Sequence, residues 1–421
     1  MYLIKHFSMF YLAVLIATVP ALSQESLIFK DPQEISITIP FKMSQNLIIL
    51  PVRINGSVPM NFVLDSGITS TIITELTGVD TVSLQYVREI TLAGLGSGEP
   101  GTAYASTGNK FTIDHPSHSG SGITGKNQDV YILTEDHFNL SKQLGMQING
   151  LIGAAFFTSF IVEIDYTNQL ITFHDPDRFI LKRKYRHYKE FPLELIGKKA
   201  FINATLLQYP DKQIDLKLLI DTGASLSLWI SAGSNPDIVI PDQTIPAMLG
   251  QGLSGAIAGV NARVMGLEFA GHKFKHPIIS FPDSSSVIGM MKEYERNGSL
   301  GNDILRRFNI VFDYPHNRIF FKSNKSITDP FSYNRSGMEI EKPYYNVPVY
   351  TVFNVVPDSP ADEAGIKMGD QLEMINHLLV KNLQMDEINS ILHGHDGRSI
   401  RIRIKRNGES LKVRFRLHGE I

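Results

Sequence analysis

The chain has 421 residues, 43% of them hydrophobic, too long for one ordinary domain and sufficient for two or three with sizeable cores. Forty Lys and Arg against 42 Asp and Glu leave a net charge of −2, which speaks against a nucleic-acid surface built on bulk basic charge. There is no cysteine, so disulfides, thiolate chemistry and a lipidated N-terminal cysteine are excluded, and the 13 histidines show no metal-ligand spacing.

Taken in order, residues 1–23 read as a secretory signal peptide. Lys5 and His6 give a basic start, residues 10–19 an apolar stretch, and Ala21-Leu22-Ser23 small residues at cleavage-like spacing. Cleavage near Ser23 leaves a mature chain from about Gln24. The rival reading, a membrane anchor, asks for ~20 apolar residues, and this run is shorter; nothing else in the chain could span a bilayer. Residues 35–41 and 47–54 have strand character and end at an Asn55-Gly56 turn. They feed Phe62-Val63-Leu64-Asp65-Ser66-Gly67, an apolar run that delivers one carboxyl into a hydroxyl-plus-glycine turn. Residues 91–104 carry a glycine cluster suited to a bending hairpin tip, with Gly94, Gly96 and Gly98 as flap candidates. Residues 105–128 are polar and carry no assigned role, and Asp114, Asp129 and Asp136 read as solvated. Asn149-Gly150-Leu151-Ile152-Gly153 then leads into strand-like runs at 160–166 and 170–173. The basic residues 178–189 read as a solvated connection, with contact to an anionic lipid or polysaccharide as the other possibility.

The second half repeats this plan. Leu218-Leu219-Ile220-Asp221-Thr222-Gly223 comes 156 positions after the first copy (221 − 65). Gly250, Gly252 and Gly255 form a second glycine cluster, and Gly250 stands 29 positions after Asp221 as Gly94 does after Asp65. Asn297-Gly298-Ser299-Leu300-Gly301 matches the Gly153 block at an offset of 148 (301 − 153). A solitary D-[ST]-G triplet is ordinary turn chemistry. Three blocks in the same order at nearly constant offset mark a duplicated domain. Trp229 falls eight residues after Asp221 as a core or pocket-wall aromatic.

Apolar-Asp-[Ser/Thr]-Gly, a glycine-rich flap and apolar-apolar-Gly before a strand, present twice, resemble the pepsin and retropepsin superfamily of aspartic proteases over residues 35–325. Leu151-Ile152-Gly153 matches the third element, and Ser299-Leu300-Gly301 does so with a serine in an apolar slot. The resemblance implies a bilobal β-barrel fold, with Asp65 and Asp221 as the catalytic pair. It implies that Ser66 and Thr222 bond across to the opposite loop. Gly67 and Gly223 let backbone N–H groups approach the carboxylates, where a side chain would clash.

Residues 326–340 read as an interdomain linker. Six N-x-[ST] sequons occur, but one of them, at Asn297, lies inside the third repeat block, and none is assigned a role. Beyond the linker, residues 361–364 have helical character, 385–392 have helical spacing, and Ile400, Ile402 and Ile404 alternate with basic residues before an Asn407-Gly408 turn. The stretch SPADEAGIKMGDQLEMIN resembles the core of PDZ domains of the bacterial protease-associated type. That resemblance implies a groove in which an extended peptide adds as a strand. By position the groove is expected between residues 349–355 and 385–392, with a carboxylate loop at 345–348 that lacks the family's glycines.

The expected fold is therefore predominantly all-β: a bilobal acid-protease fold of two homologous lobes, at 24–180 and 190–325, then a small PDZ domain at 341–421. The expected function is aspartic endopeptidase activity on a polypeptide substrate, without metal or organic cofactor. The PDZ module would hold a substrate or partner peptide. The leader and the absence of cysteine fit an exported bacterial envelope protein, periplasmic or extracellular. The alternative is a non-catalytic peptide-binding or sensor protein of the envelope, using the same cleft and groove.

Overall fold

The computed structural model describes residues 25–77, 82–92, 101–136, 138–210, 212–252, 255–283, 295–419 and 421. The expected signal peptide and the flap candidates Gly94, Gly96 and Gly98 lie outside them.

The first lobe contains β1 (Ser36–Pro40), β2 (Leu47–Ile54), β3 (Met60–Leu64), β4 (Thr71–Ile73), β5 (Arg88–Leu92), β6 (Gly101–Asp114), β7 (Gly122–Leu133), α1 (Leu140–Leu144), β8 (Gly150–Ile152), α2 (Ala154–Ser159), β9 (Ile161–Asp165) and β10 (Leu170–His174). The second contains β11 (Lys189–Pro192), β12 (Lys199–Tyr209), β13 (Lys212–Ile220), β14 (Leu228–Ile230), β15 (Thr244–Gly252), β16 (Gly255–Arg263), β17 (Ile278–Pro282), β18 (Gly298–Leu300), α3 (Asn302–Leu305), β19 (Phe308–Asp313) and β20 (Arg318–Ser323).

Local patterning explains where each strand sits. β1 alternates, burying Ile37 and Ile39 on one face only. β3 and β8 are apolar almost throughout because they pair in parallel inside the sheet, Leu151 opposite Val63 and Ile152 opposite Leu64. The second lobe repeats the pairing with β13 and β18, Leu219 opposite Ser299 and Ile220 opposite Leu300. Residues 105–128, which had no role in sequence, form most of the long β6–β7 hairpin. Asp114 at its end is not simply solvated: it accepts from Arg53 Nε at 2.8 Å and from Lys30 Nζ at 2.5 Å. Asp129 and Asp136 are partly withdrawn from water, and burial raises both carboxyls.

One sheet joins the lobes, in the order β11-β20-β19-β9-β10-β1. Its centre pairs β9 with β19, and Glu163 faces Val311, its own counterpart in the repeat. A single apolar core runs through both lobes. The basic connection is tied to this sheet: Glu163 accepts hydrogen bonds from His174 Nε2 at 3.0 Å, Lys184 Nζ at 2.9 Å and Tyr185 Oη at 2.7 Å.

The C-terminal domain has a separate core. Its elements are β21 (Met338–Glu341), β22 (Tyr350–Val355), α4 (Pro360–Glu363), β23 (Gln371–Ile375), α5 (Met385–Leu392), β24 (Ser399–Arg406) and β25 (Glu409–Arg416), with sheet order β21-β22-β23-β24-β25. β21 begins inside the stretch expected to be linker and crosses into the expected PDZ domain at Glu341. Phe331 and Tyr333, just before it, are buried against the protease lobes. Among the described residues, no helix is long and apolar enough to cross a membrane.

Candidate active site

Two turns meet at the centre of the bilobal domain. Each begins where a central strand ends: Asp65 N–H donates to Ile152 O at 2.8 Å, and Asp221 N–H donates to Leu300 O at 3.0 Å. The hydroxyls after the acids then cross between lobes. Thr222 Oγ1 accepts from Ser66 N at 2.9 Å and donates to Leu64 O at 2.8 Å. Ser66 Oγ accepts from Thr222 N at 3.0 Å and donates to Ile220 O at 2.7 Å. Both hydroxyl residues are fully sealed, at 1% and 0% exposure, so these four bonds form without competition from water.

The clamp brings the Asp65 and Asp221 carboxyls side by side: a Cβ on Gly67 would lie 3.1 Å from Asp65 Oδ1 and 3.2 Å from Asp221 Oδ1. Gly67 N–H donates to Asp65 Oδ1 at 2.7 Å, and Gly223 N–H to Asp221 Oδ1 at 3.1 Å. A Cβ on Gly223 would lie 2.2 Å from the Asp65 carboxyl carbon, so only glycine allows the opposite carboxyl to settle there. A Cβ on Gly153 would lie 1.7 Å from the Asp65 carbonyl oxygen, which explains the third repeat element.

The electrostatics follow from crowding. Burial raises Asp65 well above the usual carboxylate range, and the Asp221 charge adds to it, against the Gly67 N–H and Lys199. Burial raises Asp221 as well, while Arg296, the Gly223 N–H, Lys199 and Ser299 oppose that rise. Two carboxyls this close hold one proton between them. Asp65 keeps 8% exposure and Asp221 is partly exposed, so water can reach the pair. Among the described residues no group of His, Asp and Glu gathers as metal ligands would.

Several groups around the pair carry no D-[ST]-G signature. Asn302 Nδ2 donates to Thr222 O at 2.6 Å, and its Oδ1 accepts from Tyr166 Oη at 2.8 Å, tying the second turn to the first lobe. Arg296 and Ser299 stand behind Asp221. Ser299 was visible as a polar residue in an apolar slot; Asn302, Tyr166 and Arg296 gave no comparable signal. The second flap candidates, Gly250, Gly252 and Gly255, lie on the two strands of the β15–β16 hairpin.

The expected groove strand of the C-terminal domain is corrected. β22 bonds to neighbours on both edges, β21 and β23, and offers no free edge. The sheet ends at β21 and β25; β21 borders β22, and its Met338 and Ile340 share a core with Met385, Ile388 and Leu392 of α5. The loop leading into it is 334–337 rather than 345–348. Arg335 fastens that loop to the end of α5, its N–H donating to Leu392 O at 3.2 Å and Nη1 to Gly394 O at 2.9 Å. The far end of the groove abuts the first lobe: Lys342 N–H donates to Lys142 O at 2.9 Å, and Asp386 Oδ1 accepts from Gln45 N at 2.8 Å.

Residues 50–156 match the aspartyl protease family, and residues 351–406 match the PDZ domain family. The chain joins an aspartic-protease fold to a PDZ domain. Among solved structures, an aspartic proteinase from Irpex lacteus is 12% identical, with 70% of this chain and 99% of that chain covered and a TM-score of 0.42. Conglutin gamma, a unique basic 7S globulin from lupine seeds, is 12% identical, with 72% and 96% covered and a TM-score of 0.41. No curated protein sequence matches the chain. The aspartyl protease match covers only the first lobe; the second lobe repeats its strand pairings.

Proposed function

We propose that the protein is an aspartic endopeptidase, with Asp65 and Asp221 as its catalytic residues. The observation that carries this reading is the pair of adjacent carboxyls held by four cross-lobe bonds. Water bound between the carboxyls gives a proton to the ionised member and attacks the scissile carbonyl, while the protonated member donates to the carbonyl oxygen. The tetrahedral diol then collapses: the C–N bond breaks and the amine leaves with a proton returned from the pair. No acyl-enzyme forms. Both carboxyls come from one chain, so dimerisation is not needed to assemble the pair. The β15–β16 hairpin acts as one lid over a bound polypeptide. A peptide adds to the free edge of β21, against α5, as substrate or partner. The N-terminal leader directs export, which puts the activity in the periplasm or outside the cell.

The test is a diverse peptide pool incubated with the mature protein from acidic to neutral pH, beside Asp65→Asn and Asp221→Asn, with cuts read by mass spectrometry. Cleavage abolished in both variants is expected. Folded wild-type protein that cuts nothing, with or without a PDZ-binding peptide, refutes the enzymatic reading and leaves a peptide-binding protein.

A further inference from the structure

Because the two lobes are copies, equivalent positions can be set side by side, and behind the acids they differ sharply. In the first lobe Leu151 lies opposite Ile72 and beside Val63. Ile148 and Leu151 sit there in an apolar cluster with Leu47, Ile49 and Val63. In the second lobe Arg296 stands at the position of Ile148 and Ser299 at that of Leu151, both at an offset of 148. Trp229 lies opposite Ser299 as Ile72 lies opposite Leu151. An apolar trio in one copy is thus a cation, a hydroxyl and an indole in the other.

These three groups form a chain that ends on one acid. Arg296 and Ser299 are buried, at 2% and 0% exposure. The Arg296 guanidinium lies over the Trp229 ring, 5.2 Å from its centroid, and Nη1 donates to Ser299 Oγ at 3.3 Å. The strand register sets Ser299 beside Leu219, two residues before Asp221, whose N–H donates to Leu300 O, and from there the Ser299 hydroxyl favours the ionised Asp221 carboxyl. A buried guanidinium is costly unless an anion faces it. The positive charge of Arg296 acts on Asp221 and favours its ionised form. Asp65 has no hydroxyl at the equivalent position, which is leucine.

We infer that Arg296 and Ser299 are positioning residues that make the pair unequal, so that Asp221 carries the negative charge and takes the proton from water while Asp65 carries the proton and donates it to the carbonyl oxygen. The inference deepens the endopeptidase reading and rests on it for the chemical roles, but the asymmetry is a property of the resting protein. The other groups facing the pair do not make this choice. Lys199, from β12, acts on both carboxyls. Tyr314 lies near Asp65, and burial keeps its phenol un-ionised, so it adds no charge to the pair. Among the described residues, Arg296 and Ser299 are therefore the groups that separate the two acids.

The experiment titrates the carboxyl carbons of ¹³C-aspartate-labelled full-length protein by NMR, with Asp65→Asn and Asp221→Asn to assign the two signals. This reads protonation whether or not the protein cuts peptides, so failure of the inference is distinguishable from failure of the endopeptidase reading. In wild type, Asp221 is expected to ionise first and Asp65 last. In Ser299→Ala and in Arg296→Met the Asp221 midpoint rises by about one pH unit or more, the size expected for losing a nearby opposite charge or a hydrogen bond to the ionised form. Arg296→Lys keeps a cation and restores most of the shift, which a purely structural role for Arg296 would not. If peptides are cut, the acidic limb of kcat/KM moves upward with the same variants. Should Arg296→Met not fold, Ser299→Ala, which removes a single atom, carries the test. The inference is overturned if Asp65 ionises first in wild type, or if the Asp221 midpoint stays put in Ser299→Ala.

Discussion

Replacing Thr222 by Val keeps the side-chain shape and removes one hydroxyl, so it isolates the cross-lobe clamp. The lost oxygen makes two bonds, accepting from Ser66 N at 2.9 Å and donating to Leu64 O at 2.8 Å. Both partners are left buried, since Ser66 is 1% and Leu64 0% exposed. An orphaned buried donor or acceptor costs roughly 1–3 kcal/mol, so the pair costs about 4 kcal/mol, a large part of a typical domain stability of ~5–15 kcal/mol. The assay is urea unfolding of the full-length chain, followed by Trp229 fluorescence in the second lobe. The PDZ domain, with its own core and no tryptophan, provides an internal reference by circular dichroism. Thr222→Val should lower the midpoint of the protease transition and leave the PDZ transition in place. Thr222→Ser, which keeps the hydroxyl, should cost about 1 kcal/mol for the missing methyl. A Thr222→Val variant within 1 kcal/mol of wild type would refute the claim that this hydroxyl joins the lobes.

Two further outcomes follow from buried charges away from the acids. Burial raises Glu163, but the hydrogen bonds from His174, Lys184 and Tyr185 outweigh it and hold the carboxyl down at about 2 against an ordinary 4.5. A depressed carboxyl contributes stability that is present above about pH 4.5 and lost as pH falls through about 2. Glu163→Gln should therefore cost about 3 kcal/mol at neutral pH and flatten the acid side of the stability curve; a melting temperature unchanged at pH 7 would contradict this. In the PDZ domain, Asp370 is buried and takes both a 2.6 Å bond from Arg406 Nε and a 2.6 Å bond from Nη2, besides the Lys367 N–H at 2.8 Å. Asp370→Asn should destabilise that domain by about 3 kcal/mol without moving the protease transition, and a shift confined to the protease transition would count against the separate cores.

How much of this was legible in sequence depended on the range of the interaction. The turns at Asp65 and Asp221 announce themselves because a buried strand, an acid, a hydroxyl and a glycine are consecutive, and duplication raises that local signal above chance. The PDZ core was legible for the same reason, in SPADEAGIKMGDQLEMIN. The groove was misplaced because β21 is only four residues long, Met338–Glu341, and the Ser336-Gly337 turn before it reads as part of a polar linker. Which strand has a free edge is a fact about pairing, and Val352 opposite Ile340 is not written in either segment.

The sequence alone determined the duplicated β architecture, the two acid-bearing turns and the appended PDZ domain, because each rests on residues adjacent in the chain or on a repeat at fixed offset. Tertiary structure decided the rest. It set the reciprocal hydroxyl bonds spanning 156 residues, the Asn302 brace on Thr222, the open edge at β21, and the Arg296–Ser299 contact that distinguishes one acid from the other. Its physical reason is burial: a hydroxyl or a guanidinium acquires its effect only when folding removes water from around it, and no local stretch of sequence specifies which distant group will then face it.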